Sequence, residues 1–298
     1  MPRTTAVLLL LLATMLWGFA FIAQKSAMAS VGPLTFAAVR YLLGGVVILP
    51  LALWEYRRRG KPLGRGDWGL VLLLSLVFFM GSWLQQAGLA HTTVTNGGFL
   101  TSLYVLFVPL FAFVALRSPP NPIIWAGVPL ALLGIYYLNG GGLDRFNFGD
   151  LLIVGCAAFW AVHVLMLGHV ARRTGLPVFV SAVSFLLAGL VATGGAFASE
   201  APSLQGIAGA WVQIAYAGVM STAVAFTLQA VGQQYVPPAN AAIILSAESL
   251  FAALGGALLL GERLPPIGYA GAALIFVAIV LVEVVPALVA RRPAAAEG

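Results

Sequence analysis

Charged residues are scarce in this chain of 298 residues, because aspartate, glutamate, lysine and arginine together make up 8%, whereas soluble domains carry about a quarter. Hydrophobic residues reach 61%, and the mean hydropathy is +1.01. So little charge excludes an ordinary soluble protein and predicts a chain surrounded mainly by lipid. The net charge of +6 does not indicate a nucleic-acid partner, because the basic residues lie in short loops between apolar stretches.

The chain also has almost no cysteine and none of the common catalytic motifs. Cys156 is the single cysteine, so an internal disulfide is excluded and its apolar neighbours favour a packing role. His91 and His169 have no partners at metal-ligand spacing, so we expect no metal and no other cofactor. The sequence contains no Walker A, HExxH or GxSxG motif and no aspartate-rich cluster. We therefore do not expect the protein to use ATP directly or to be a membrane enzyme, and no catalytic residue is assigned.

Long apolar stretches, in contrast, fill the chain. A membrane-spanning helix needs about 20 mostly apolar residues. The first stretch is retained as a span because its apolar run is longer than the h-region of a signal peptide and it has no convincing cleavage site. The expected fold is an all-α polytopic membrane protein with ten transmembrane helices and no separate soluble domain. The predicted spans are 5–29, 34–54, 68–90, 96–116, 122–138, 150–170, 177–199, 208–230, 240–260 and 266–287.

Positive charge is distributed unevenly between the two ends of these spans. Eleven basic residues fall on one side, and they are Arg3, Arg57, Arg58, Arg59, Lys61, Arg65, Arg117, Arg172, Arg173, Arg291 and Arg292. Two, Arg145 and Arg263, fall on the other side. The positive-inside rule then predicts that both termini are cytoplasmic.

Polar and aromatic landmarks recur at a nearly constant offset, which predicts an internal duplication. The pairs are Trp17 with Trp160 and Gln86 with Gln229, each 143 residues apart, and Asn96 with Asn240, 144 apart. We expect one five-helix repeat in residues 1–143 and a second in 144–298. Because five is odd, the second repeat must be inverted, as in secondary transporters whose substrate site lies near the midplane.

Residues 240–282 resemble the signature of the ten-helix drug/metabolite transporter superfamily, with EamA-type repeats. The signature consists of a mid-helix acid (Glu248), an apolar run, Gly261-Glu262 and a glycine-containing last helix. The LWGFAFI and VRYLLGG segments are similar to the same family, and the resemblance covers essentially the whole chain. Family members commonly have proline after the acid, whereas this chain has Ser249. A weaker or displaced kink is therefore expected there, and Pro109 is expected to break span four instead.

The resemblance implies export of small amphipathic metabolites through a bacterial-type inner membrane. The aromatic-rich spans are most similar to bacterial exporters of aromatic and other neutral amino acids. The expected partners are a small-molecule substrate and the lipid bilayer, and short loops are compatible with a functional monomer. A multidrug or organic-cation exporter on the same scaffold is the main alternative. A phosphorylated substrate fits less well, since only Lys25 and Arg40 are intramembrane cations, and a membrane enzyme or a passive channel is a more distant alternative.

Three ionisable residues and several aromatic and amide residues lie deep in the predicted spans. The candidate substrate-binding residues are Trp17, Phe21, Arg40, Trp83, Gln86, Trp160, His163, Gln229 and Glu248. Arginine suits a carboxylate, a buried glutamate suits an ammonium group or a proton, and aromatic walls suit an apolar side chain. The alternative is structural, because each polar group can also be satisfied by a neighbouring helix. His163 is either a proton relay or a structural donor.

Overall fold

The structure, a computed structural model, describes residues 1–92, 94–117, 121–138, 140–141, 147–259 and 266–290. Throughout these ranges every regular element is helical. The helices are α1 (Arg3–Ala27), α2 (Pro33–Arg59), α3 (Arg65–His91), α4 (Val94–Thr101), α5 (Tyr104–Leu116), α6 (Ile124–Leu138), α7 (Phe148–Thr174), α8 (Pro177–Ser199), α9 (Leu204–Gly209), α10 (Trp211–Ala215), a π-helical segment (Tyr216–Phe226), α11 (Thr227–Gly232), α12 (Pro238–Leu245), α13 (Glu248–Leu259) and α14 (Pro266–Ala290).

Eight helical segments within the described residues are long and apolar enough to cross a membrane. Two shorter apolar helices, Ile124–Tyr137 and Pro266–Val282, coincide with the predicted spans 122–138 and 266–287. The prediction of an all-α polytopic membrane protein is confirmed. The Gly261-Glu262 motif lies outside the described residues.

The helices begin and end where the sequence supplies residues suited to helix termini. Pro33 and Pro177 stand in the first turn of α2 and α8, where a missing N–H costs nothing. They are 144 residues apart. Gly60 and Gly175 end α2 and α7 with φ of 70° and 66°, a left-handed conformation that glycine adopts without strain.

Spans four and nine are each interrupted near their middle, between α4 and α5 and between α12 and α13. Both interruptions tighten the helix to i→i−3 hydrogen bonds, and the bonded pairs match at an offset of 144. The N–H groups of Leu103 and Val105 donate to the carbonyls of Leu100 and Ser102, and those of Ala247 and Ser249 donate to the carbonyls of Ile244 and Ser246.

The helix continues through Pro109, so the prediction that this proline breaks span four is wrong. Pro109 has no N–H and so cannot donate a hydrogen bond to the carbonyl of Val105. This carbonyl lies in the first turn of α5, directly after the interruption, where the regular hydrogen-bond pattern is already disturbed. Span nine breaks directly before Glu248 although Ser249 replaces proline. The Ser246 hydroxyl donates to the Ile243 carbonyl at 2.7 Å and supports this turn.

The π-helical segment Tyr216–Phe226 distinguishes the two halves. The residues 143 positions earlier, 73–83, lie in the regular helix α3. A π-turn closes i→i+5 bonds and rotates the residues that follow relative to an α-helix. The two halves therefore present different side chains to the centre.

Helices α2 and α8 pack closely, with one leucine of each lying against a glycine of the other. A Cβ added to Gly45 would lie 2.7 Å from Leu186 Cδ2, and one added to Gly189 would lie 2.8 Å from Leu42 Cγ. Helix α3 packs similarly on α7, and α6 on α14. In lipid, such small residues allow the close backbone approach that dispersion forces require.

The α3–α7 crossing leads to a stability prediction. A Cβ on Gly149 would lie 2.8 Å from the Gly88 carbonyl oxygen, and backbone cannot move aside as a flexible side chain can. We expect Gly149→Ala to destabilise the protein by about 1–3 kcal/mol, measured as a lower thermal unfolding midpoint in detergent. Gly69→Ala is the matched control, because a Cβ there meets nothing within 4 Å. Equal midpoints for the two variants would contradict the close crossing.

Candidate functional site

A central cavity lies where the interrupted spans meet α1, α2, α3, α7 and the π-helical segment. The volume open to the centres of water molecules is about 40 Å³, which is room for roughly three waters. Its apolar walls are Trp17, Phe21, Trp160, Val164, Phe226 and Leu245, and its polar lining is Gln24, Arg40, Gln85, Thr101, Tyr104, Ser221, Gln229 and Glu248. The cavity therefore has room for only a few water molecules and is lined by both apolar and polar side chains.

The aromatic wall is centred on Phe226. Its ring centroid lies 4.6 Å from that of Trp17 and 5.6 Å from that of Trp160, the latter pair being stacked at 25°. Trp17 and Trp160, which correspond in the two halves, thus meet through one phenylalanine. Such offset and tilted pairs are favourable ring geometries, and they form a rigid apolar surface.

Helix α1 is fixed to the π-helical segment by two hydrogen bonds. The Trp17 Nε1–H donates to the Ser221 carbonyl oxygen at 3.0 Å. The Tyr216 hydroxyl donates to the Leu16 carbonyl oxygen at 2.9 Å. The Trp17 ring is therefore held in place at the cavity wall.

Arg40 brings a positive charge to the cavity. Its side chain is 3% exposed, donates from Nη1 to Gln24 Oε1 at 2.8 Å, and lies with Cζ 4.5 Å from the Tyr41 ring centroid. Among the described residues it forms no salt bridge, and its Nε–H has no acceptor. The guanidinium is thus held by a neutral amide and a ring, with its charge unneutralised.

Glu248 brings a carboxyl group to the same cavity. It is 5% exposed and is the first residue of α13, as Tyr104 is of α5. The two residues are 144 apart, and their side chains face each other closely enough to interact electrostatically. Glu248 forms no salt bridge with a described residue. Its position at a helix N-terminus favours negative charge.

Five polar atoms of the cavity lining lack a hydrogen-bond partner among the described residues. They are Arg40 Nε, Tyr104 Oη, Ser221 Oγ, Gln229 Oε1 and Glu248 Oε1. Most buried polar atoms in proteins have a partner. This set contains both donors and acceptors around one space, so water or a polar ligand group would satisfy it.

A serine pair joins the two interrupted spans beside the cavity. The oxygens of Ser102 and Ser249 lie 2.7 Å apart. Ser102 Oγ also donates to the Gly98 carbonyl, so Ser249 must be the donor of the pair. Tyr104 and Glu248 are positioned by these linked turns.

Six of the nine predicted residues line the cavity, and they are Trp17, Phe21, Arg40, Trp160, Gln229 and Glu248. Trp83 lies outside the lining, stacked on Phe79 at 6.5 Å. Gln86 Nε2 donates to the Gln24 carbonyl at 3.3 Å and does not line the space. His163 lies behind the wall, 5.3 Å from the Trp160 ring.

The π-helical segment explains why corresponding residues differ in position. Phe226 and Gln229 line the cavity, whereas Trp83 and Gln86, 143 residues earlier, do not. Gln85 takes the place of Gln86. A change of helical phase in one half alone produces this difference.

Lys25 does not line the cavity. Its Nζ donates to the carbonyls of Leu89 at 2.7 Å and Thr92 at 2.9 Å, so it caps the C-terminal end of α3. Eight of the fourteen lining residues were not among the predicted ones, and Tyr104 and Phe226 are the two that the repeat could have indicated. The repeat offset was the available signal, since they correspond to Glu248 and Trp83. In the described part of the chain, no three His, Cys, Asp or Glu side chains group as a metal site would require.

The profile of the EamA-like transporter family matches this sequence twice, at residues 4–140 and 147–284. The chain belongs to the EamA-like transporter family. An uncharacterized transporter of Archaeoglobus fulgidus is 31% identical over 282 residues, covering 94% of this chain and 86% of the relative. This EamA-like chain is thus a multi-pass membrane transporter.

Two further relatives and one solved structure agree with this assignment. The uncharacterized transporter YwfM of Bacillus subtilis is 29% identical and covers 94% of both chains. The uncharacterized inner membrane transporter YedA of Escherichia coli is 26% identical, covering 94% of this chain and 91% of its own. A crystal structure matches 98% of this chain and 99% of its own with a TM-score of 0.78 at 21% identity, which shows a shared fold.

The serine pair gives a prediction about how the site is held together. In a double-mutant cycle with Ser102→Ala and Ser249→Ala, we expect a coupling of about 0.5–1.5 kcal/mol in unfolding free energy, the value of one buried hydrogen bond. Denaturant unfolding of the purified protein measures it. Additive effects would show that the two turns are not joined by this bond.

Proposed function

We propose that this EamA-like transporter is a secondary transporter that exports small amphipathic metabolites, with aromatic and other neutral amino acids as its first substrates. A central cavity would open alternately to the two sides of a bacterial-type inner membrane. The relative named as an inner membrane transporter supports the location.

We also propose ten spans arranged as two inverted five-helix repeats, 1–143 and 144–298, with both termini in the cytoplasm. The two family matches and the matching interruptions of spans four and nine support the duplication. Orientation rests on the eleven basic residues assigned to one side and the positive-inside rule. Midplane interruptions of corresponding helices are typical of inverted-repeat transporters.

The observation that carries the proposal is that a buried arginine and a buried glutamate line one cavity. Arg40 and Glu248 are both buried and line the same space, yet neither forms a salt bridge with a described residue. A buried ionisable group without an oppositely charged partner is costly to charge, and a zwitterion would bring a counter-charge to each of the two. The α-carboxylate would bind Arg40, and the α-ammonium would bind Glu248 and the Gln229 amide oxygen.

The apolar part of the ligand would lie against the aromatic wall of Trp17, Trp160 and Phe226. A wall of this kind suits an aromatic or large aliphatic side chain. At about 40 Å³ the cavity is smaller than the engineered 150 Å³ cavity that binds benzene. A substrate therefore enters only when the walls part, as alternating access requires.

An organic-cation exporter is the second candidate, and Glu248 beside an aromatic wall favours it. A hydrophobic cation would bind the carboxylate and the ring faces. Arg40 opposes this ligand, because its charge would repel a cation at short range. The two candidates therefore differ in whether Arg40 assists binding.

Transport in liposomes tests the function. We expect saturable uptake of labelled tryptophan, phenylalanine and methionine by the reconstituted protein, accelerated by unlabelled substrate inside. Empty liposomes are the control. If no amino acid exchanges while an organic cation moves readily, the amino-acid proposal is wrong and the second candidate replaces it.

Charge variants test how the zwitterion is held, using tryptophan and tryptamine, which lacks the carboxylate. We expect Arg40→Gln to raise the KM for tryptophan by at least about tenfold, since a hydrogen bond to a charged group contributes about 1.5–3 kcal/mol, while affinity for tryptamine does not fall. Glu248→Gln should weaken both ligands.

Tryptophan variants separate the aromatic wall from the membrane interface. Trp17→Ala should raise the KM for tryptophan, because it removes a ring that lines the cavity. Trp54→Ala is the matched control, since Trp54 is 55% exposed at the end of α2. Equal effects of the two substitutions on KM would contradict an aromatic subsite at Trp17.

A further inference from the structure

Glu200, just after α8, binds the N-terminus of α2. Its Oε1 accepts from the Leu34 N–H at 2.7 Å, and its Oε2 accepts from the Thr35 N–H at 2.8 Å and the Thr35 hydroxyl at 2.6 Å. A Cβ on Gly32 would lie 2.4 Å from this carboxylate. Gly32 therefore leaves the space that the carboxylate occupies.

Glu55, near the end of α2, binds the N-terminus of α8 in the same manner. Its Oε2 accepts from the Phe179 N–H at 2.8 Å, and the Val178 N–H also faces this carboxylate. In each helix the bonded groups directly follow the first proline, Pro33 or Pro177. These are N–H groups that have no partner within their own helix.

The two contacts are reciprocal and lie at opposite ends of one helix pair. Because α2 and α8 are antiparallel and in contact, each carboxylate reaches from the end of one helix to the start of the other. Each also stabilises the positive end of a helix dipole. We call the Glu200–α2 and Glu55–α8 contacts the two clasps. Each clasp joins the first half of the chain to the second.

Both clasps are formed in a structure whose central cavity holds only about 40 Å³. Arg40 lies two turns from the clasped end of α2, so a movement of that end would also move a charge that lines the cavity. The geometry thus connects the ends of the helix pair with the site.

We infer that Glu55 and Glu200 are positioning residues that act as latches, one at each membrane face. The clasp at a given face breaks when the cavity opens to that face, and the other clasp stays formed. This inference rests on the proposed alternating access. If the clasps only stabilised the fold, losing either would have the same effect on both faces.

Cys156 provides a native reporter, because it is the single cysteine and is fully buried. It lies against Thr101 and Trp160, both of which line the cavity. A membrane-impermeant thiol reagent, applied to right-side-out or inside-out vesicles, measures access from each side without any substrate. Cys156→Ala gives the background.

We expect slow modification of the wild-type protein from both sides. Glu200→Ala should accelerate modification about tenfold from the face at which residue 200 lies, which is the outer face in the proposed orientation. Glu55→Ala should do so from the opposite face. Thr35→Val, which removes one of three bonds in the first clasp, should give a smaller increase on the same side as Glu200→Ala.

Asp67→Asn is the matched control, because it removes an exposed ion pair with Arg173 that is not part of either clasp, and it should change neither rate. Acceleration from both faces alike, or from neither, would overturn the latch assignment. If an alanine variant does not fold, Glu200→Gln and Glu55→Gln, which keep one acceptor oxygen, test the same opposite sidedness.

The experiment separates the latches from the proposed function. If the Glu200 and Glu55 variants accelerate Cys156 labelling from opposite faces but no amino acid is transported, the latches are retained and the proposed substrate is rejected. Saturable transport, together with Cys156 labelling that changes equally from both faces, would retain the transporter and reject the latches.

Discussion

An unpaired backbone N–H or C=O group costs several kcal/mol in hydrocarbon, and this constraint governs the whole fold. It makes every described span helical and limits where a helix can depart from regular geometry. The departures are the turns at 102–103 and 246–247 and the π-helical segment 216–226. All three border the central cavity. The irregular backbone and the candidate binding residues therefore lie at the same place in the molecule.

The same constraint divides the ionisable side chains into two groups. Lys25, Glu55 and Glu200 bind backbone groups at helix ends, so these side chains satisfy hydrogen-bonding groups that the helix termini leave unpaired. Arg40 and Glu248 line the cavity and bind no helix end among the described residues. A buried ionisable group is informative about function only after the helix termini have been accounted for, and among the described residues that line the cavity this leaves Arg40 and Glu248.

Much of the fold was predictable from the sequence, because span length and apolar content are set directly by the bilayer. The depth of Trp17, Trp160, Arg40 and Glu248 followed from their positions within spans. The neighbours of Gln86 did not follow, because a π-helical segment in one half leaves little trace in the hydrophobic pattern. The prediction for Pro109 was wrong for a related reason. The missing hydrogen bond of a proline is tolerated next to a position where the helix is already interrupted.

The α2–α8 contact has a consequence for how the two halves relate. Leu42 lies on Gly189 and Leu186 on Gly45, and both the leucines and the glycines are 144 residues apart. Two identical chains meeting across a two-fold axis make such a contact, in which one residue pair occurs twice. In a homodimer of half-length chains, any substitution would alter both sides together. A single chain frees each side to change alone, as a π-helical segment confined to one half illustrates.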